Sequence, residues 1–189
     1  LANFENVSGS SYNDTLSGDD QNNVLSGGAG NDILDGRDGD DLLLGGAGND
    51  TLIGGAGNDS LVGGDGSDTV DYASAEGSVQ VNLGSGSATG GAGTDTLKEI
   101  ENAVGSDFDD VLTGSDRANS ILGGAGNDLI NGGAGNDYLA GGTGADTFIF
   151  NGTSGEDKIA DFDIGEDRID LSSFGLPNWE ALKSLIETN

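Results

Sequence analysis

The chain has 189 residues, of which 34 are acidic and 6 basic, giving a formal net charge of -28. Such a charge repels nucleic-acid phosphates and anionic membranes, and the absence of cysteine and histidine removes disulfides, the common catalytic triads and typical zinc sites. Glycine, at 37 residues, makes folding entropically costly, and aromatic residues are few, so a hard cation held by oxygens is the remaining means of offsetting self-repulsion.

No stretch is apolar for long enough to span a membrane, and no signal-peptide pattern opens the chain. Leu1 is not an initiator methionine, and the expectation is an internal fragment of a longer protein. Two weak units come first: Gly9 to Ser17, with Asp14 and Leu16, and Gly18 to Ser26, with Asn23 and Leu25. Five strong units follow at nine-residue spacing. Their openings are Gly27-Gly28-Ala29-Gly30-Asn31-Asp32, Gly36-Arg37-Asp38-Gly39-Asp40-Asp41, Gly45-Gly46-Ala47-Gly48-Asn49-Asp50, Gly54-Gly55-Ala56-Gly57-Asn58-Asp59 and Gly63-Gly64-Asp65-Gly66-Ser67-Asp68. The eighth position is always apolar: Leu34, Leu43, Leu52, Leu61 and Val70.

Residues 72–89 lose the nonapeptide, and the alternation of Val79, Val81 and Leu83 predicts a half-buried strand in a wider rung that keeps the coil continuous. Gly90 to Asp95 fits the hexamer but has no motif partner 18 residues away. Phe4-Glu5-Asn6 then recurs as Ile100-Glu101-Asn102, an offset of 96 residues, and opens a second run. Gly105 to Thr113 carries Asp110 and Leu112, and Gly114 to Leu122 carries Asn119 and Ile121. Gly123-Gly124-Ala125-Gly126-Asn127-Asp128, Gly132-Gly133-Ala134-Gly135-Asn136-Asp137 and Gly141-Gly142-Thr143-Gly144-Ala145-Asp146 complete it, with Ile130, Leu139 and Phe148 at the eighth positions. Beyond Phe150, Ile159, Phe162, Ile164, Ile169 and Leu171 predict one or two strands. Pro177 and the apolar face of Trp179, Leu182, Leu185 and Ile186 predict a short helix over 178–188.

The expected organisation is a first stack over 1–71, a connector over 72–104, a second stack over 105–150 and a cap over 151–189, since a solenoid needs its last rung covered. In each unit six residues make a loop and three a short strand, with position 8 inward and positions 7 and 9 outward. Two units make one turn of a flattened coil, so loops 18 residues apart stack about 4.8 Å from each other. Calcium–oxygen bonds run at about 2.3–2.6 Å, so an ion midway touches both loops. The sixth-position aspartates need such an ion: Asp32 and Asp50, Asp41 and Asp59, Asp50 and Asp68, and Asp128 and Asp146 would otherwise repel each other. Two columns holding roughly five to eight ions are expected by counting stacked neighbours, with the sites of Asn23 and Asn119 weaker or empty.

Through these repeats the chain resembles the RTX domains of secreted bacterial proteases, lipases, alginate epimerases, toxins and adhesins. The resemblance covers about residues 9–71 and 90–150. Asp157 to Asp163, continuing through Ile169-Asp170-Leu171-Ser172, is similar to the segment that closes the roll in the secreted metalloprotease branch. It implies an all-β, right-handed parallel β-roll. It also implies that the carbonyls of the first four loop positions and the sixth-position aspartate ligate calcium in all eight full hexamers named above. Asp14, Asn23, Asp110 and Asn119 are candidates in the weaker units. Export by a type I secretion system and an extracellular location are further implications.

Three function classes follow. The first is a calcium-triggered folding module that helps adjoining domains of a secreted parent protein fold, persist or leave the cell. The second is an enzyme, which identical repeated aspartates disfavour because an active site is a singular cleft; catalysis is expected, if anywhere, in a separate domain of the parent. The third is an adhesive or surface-layer element binding polysaccharide or cells, though Trp179 is the sole tryptophan. Asp19, Asp20, Asp35, Asp107 and Asp116 read as solvated surface. Asp38 and Asp65 can supply carbonyls as alanines do, and Asp161, Asp163, Asp167 and Asp170 can form an extra site in the tail.

Overall fold

The computed structural model describes residues 6–152 and 154–176. The helix predicted over 178–188 lies outside the described residues, as do Phe4 and Glu5 of the first lead-in. The first strands are β1 (Asn6–Ser8), β2 (Thr15–Ser17), β3 (Val24–Ala29), β4 (Ile33–Asp38), β5 (Leu42–Ala47), β6 (Thr51–Ala56), β7 (Ser60–Asp65) and β8 (Thr69–Asp71). Next come β9 (Val79–Asn82), β10 (Ser87–Gly90), β11 (Gly93–Lys98), β12 (Asn102–Val104), β13 (Val111–Ser115) and β14 (Ser120–Ala125). Last are β15 (Leu129–Gly133), β16 (Tyr138–Thr143), β17 (Thr147–Ile149), β18 (Lys158–Ile159), β19 (Arg168–Asp170) and a 3-10 turn at Ser172–Phe174.

Successive units alternate between two sheets. One runs β1-β3-β5-β7-β11-β10-β9-β13-β15-β17-β19 and the other β18-β16-β14-β12-β8-β6-β4-β2. Parallel pairing at an 18-residue offset sets Leu25 beside Leu43 and Leu43 beside Leu61, and Leu34 beside Leu52 and Leu52 beside Val70. This is a parallel β-roll. The eighth-position side chains of both sheets form one internal ladder, and Leu25, Leu34, Leu43, Leu52, Leu61, Val70, Leu112, Ile121, Ile130, Leu139 and Phe148 are fully buried. Each buried leucine contributes about 1.5–3 kcal/mol. No helix among the described residues is long and apolar enough to cross a membrane.

The connector differs from a simple rung. Val79, Val81 and Leu83 are buried as the alternation predicts. However, β9 and β10, and β10 and β11, pair antiparallel, which inserts a meander into one sheet between β7 and β13. Two tight reversals permit it. Asn82 Oδ1 accepts the Ser85 N–H at 2.8 Å and Gly86 takes φ 69°; Gly90 and Gly93 take φ 130° and 120° at the second. The other sheet passes the connector unbroken, with β8 pairing β12 and β12 pairing β14, all parallel.

Candidate metal centre

Loops line the two edges of the roll in columns. The first column holds loops 9–14, 27–32, 45–50, 63–68, segment 99–101, loops 114–119 and 132–137, and segment 154–157. The second holds 18–23, 36–41, 54–59, 90–95, 105–110, 123–128, 141–146 and the segment ending at Asp167. A ladder of hydrogen bonds joins most successive members; below loop 105–110 it is the Val79 N–H, not loop 90–95, that donates to Asp110 Oδ1. The N–H of Asp32 donates to Asp50 Oδ1, that of Asp41 to Asp59 Oδ1, and that of Asp50 to Asp68 Oδ1, each at 2.8 Å. Asp110 and Asp128 donate likewise to Asp128 and Asp146, and Asn119 to Asp137.

One oxygen of each repeat carboxylate is thus committed, and the other is not. Oδ2 of Asp32, Asp41, Asp50, Asp59, Asp68, Asp128, Asp137 and Asp146 is buried with no hydrogen-bond partner. A buried charge left unpaired is among the costliest arrangements a protein can adopt. Its surroundings are further oxygens. A Cβ added to Gly27 would sit under 3.0 Å from both Asp32 Oδ2 and the Gly45 carbonyl oxygen. Gly36, Gly45 and Gly123 stand in the same relation to Asp41 and Gly54, Asp50 and Gly63, and Asp128 and Gly141. From the other side, the Gly28 and Gly30 carbonyls press on Gly46 and Gly48. Each gap therefore gathers one free carboxylate oxygen and several carbonyls around a space closed to side chains. That donor set suits a hard cation with oxygen ligands. Among the described residues no three acidic side chains converge, because most donors are main-chain carbonyls.

Metal-free, several of these carboxyls resist ionisation. Burial, reinforced by neighbouring aspartates, pushes Asp59 and Asp128 up to about 7 and Asp68 and Asp137 up to about 6. Burial raises Asp41, Asp50, Asp95 and Asp146 as well.

The four weaker units behave differently. Asp14 Oδ2 accepts the Ser10 N–H at 2.6 Å, and Asp110 Oδ2 accepts the Ser106 N–H at 2.5 Å, with both serine hydroxyls adding a bond. Asn23 Oδ1 accepts the Asp19 N–H at 2.7 Å and Asn119 Oδ1 the Ser115 N–H at 2.6 Å. The second loop position separates the two groups. In the eight open loops it has positive φ, at Gly28, Arg37, Gly46, Gly55, Gly64, Gly124, Gly133 and Gly142. Among the described residues Arg37 and Glu99 are the only non-glycines with positive φ, so Ser10, Asp19, Ser106 and Ser115 do not share it.

Members outside the 18-residue spacing were not visible as partners in the repeat. Asp95 Oδ1 accepts the Asp59 N–H across 36 residues, so loop 90–95 stacks on 54–59; its Oδ2 accepts the Tyr72 hydroxyl at 2.8 Å. Glu101 Oε2 accepts the Asp68 N–H. In the tail, Asp157 and Asp167 continue the ladder above Asp137 and Asp146, at offsets of 20 and 21 residues. Asp161 accepts from the N–H groups of Gly141 and Gly142, and Asp163 and Asp167 form a turn, whereas Asp170 bonds Ser172. Asp20, Asp35, Asp107 and Asp116 lie outside the ladder bonds, while Asp19 serves the Asn23 loop.

A family model, the RTX calcium-binding nonapeptide repeat, matches four times, at residues 8–43, 35–70, 104–139 and 113–148. The matches cover more than half of the chain. The chain belongs to the RTX calcium-binding repeat family. RTX repeats bind calcium, and the loops that carry the free aspartate oxygens are the RTX loops. The RTX roll is a structural element rather than a catalytic one. No curated protein matches the chain. Among solved structures it is similar to the extracellular lipase LipA from Serratia marcescens, at 24% identity over 80% of this chain and 31% of that one, with a TM-score of 0.22. The chain thus spans about a third of the length of that lipase.

Proposed function

We propose that this chain is the calcium-binding module of a secreted protein, and that it folds when calcium fills the gaps between its loops outside the cell. The observation that carries the reading is the set of eight buried aspartate oxygens without partners. Each belongs to one gap, so eight ions are proposed, four per column. The ligands are the free Oδ2 of Asp32, Asp41, Asp50, Asp59, Asp68, Asp128, Asp137 and Asp146 together with carbonyls of the facing loops. Asp14, Asn23, Asp110 and Asn119 fall outside this set, because local hydrogen bonds already occupy their side-chain oxygens. The ions load two stacks, 1–71 and 105–150, that share one pair of sheets through 72–104 and end in the cap at 151–189.

The physical logic is linkage. With a charge of -28 and buried carboxylates, the chain without calcium stays unfolded where calcium is scarce. At about 10⁻³ M calcium, the extracellular range, binding free energy becomes folding free energy. Adjoining domains of the parent then gain a folded neighbour after export rather than before it. Far-UV circular dichroism tests this: β structure should appear on calcium addition and vanish with chelator, and a spectrum indifferent to calcium would sink the reading.

A further inference from the structure

Above loop 63–68 the nonapeptide is missing, yet the gap keeps its oxygens. Glu99 holds φ 55°, a left-handed conformation that costs a non-glycine residue about 1–2 kcal/mol. In that conformation its carbonyl oxygen lies over Gly63, beside Asp68 Oδ2, where Gly45 O lies over Gly27 beside Asp32 Oδ2. Glu101 Oε2 accepts the Asp68 N–H at 3.0 Å, the bond that a repeat aspartate makes one turn below. The longer acid takes the aspartate's place at an offset of 33 residues rather than 18.

The segment is held in place from several sides. The N–H groups of Glu101 and Asn102 donate to the Asp68 carbonyl at 3.1 and 2.9 Å, and Asn119 Nδ2 donates to the Glu101 carbonyl at 2.6 Å. Arg117 takes the other carboxylate oxygen, Glu101 Oε1, at 3.4 Å from the exposed side. Below them Asp68 is 0% exposed, and its Oδ2 has no partner.

We propose that the gap of Asp68, counted among the eight, is a calcium site completed by the Glu99 carbonyl and closed by the Glu101 carboxylate in place of a repeat loop and its aspartate. It deepens the calcium reading of the repeats and rests on it. Two carboxylates face the gap, as in a repeat gap, with Arg117 pairing the second of them from outside. Its position is distinctive: it ties the last loop of the first stack to the segment that opens the second.

The test uses the full chain crystallised with calcium. An anomalous difference map should show a peak about 2.3–2.6 Å from Asp68 Oδ2 and the Glu99 carbonyl oxygen. Equilibrium dialysis should give Glu101→Gln one ion fewer than the unaltered chain. Peaks in the repeat gaps with only water at the seam, and an unchanged ion count in the variant, would overturn the seam site and leave the repeats standing. Absence of calcium from every gap would overturn both readings. If Glu101→Gln fails to fold, the map of the unaltered chain decides.

Discussion

Ser106 and Gly124 hold the same second position in loops 18 residues apart, and their loop aspartates end in opposite states. Ser106 donates its N–H and hydroxyl to Asp110, whereas Gly124, at φ 116°, leaves Asp128 Oδ2 without a partner. A serine seldom adopts positive φ, and a glycine does so freely. Replacing Ser106 with glycine should therefore open that loop, and equilibrium dialysis should count one calcium more per chain. Arg37 is the reverse case, since it takes φ 78° at a position where seven other open loops have glycine. Arg37→Gly should raise stability by up to about 1 kcal/mol in urea melts at saturating calcium, the relieved strain outweighing the added freedom of the unfolded chain.

At the scale of elements, the connector closes one position of the second column with a side chain. Asp95 continues the ladder above Asp59, but its second oxygen accepts the Tyr72 hydroxyl rather than standing free. Tyr72 is buried, and both burial and the Asp95 charge raise its pKa, so the hydroxyl keeps its proton and donates. Tyr72→Phe should leave Asp95 Oδ2 buried and unsatisfied, and urea denaturation in saturating calcium should show a loss of about 1–3 kcal/mol.

Sequence legibility followed the same division. The nonapeptide register fixes the strands, the two columns, the inward ladder from Leu25 to Phe148 and the open loops, because a period of nine sets side-chain direction and stacking together. The antiparallel β9–β10–β11 meander was hidden, since Val79, Val81 and Leu83 alternate alike in a parallel or an antiparallel strand. Glu101 and Asp157 left no signal as ladder members, and Asp167 read as part of a separate tail site, because insertions move them to offsets of 33, 20 and 21 residues rather than 18. The closure of the weaker loops did leave a signal: Ser10, Asp19, Ser106 and Ser115 stand where seven open loops have glycine.

For the whole molecule, protons and calcium compete for the same oxygens. Burial holds Asp59 and Asp128 at about 7 and Asp68 and Asp137 at about 6 in the metal-free fold, above the ordinary 3.8. The folded state then binds more protons than the unfolded chain between those values. Their contribution is fully present below about 3.8 and is lost as pH rises through 6 to 7. In chelator, β structure followed by circular dichroism should therefore increase on acidification from pH 8 toward pH 4. Calcium affinity should fall over the same range, because each ion must displace protons that acid supplies.

The Asp-to-Asp ladder gives the roll a direction. Each carboxylate points one oxygen back toward the turn before it and the other forward into the gap that the next turn will close. A turn laid down on the C-terminal side completes its predecessor, whereas one added on the N-terminal side awaits completion by what is already there. Assembly is thus polar, like a zip, and its leading edge always carries an unfinished pocket until something unlike the repeat arrives to seal it.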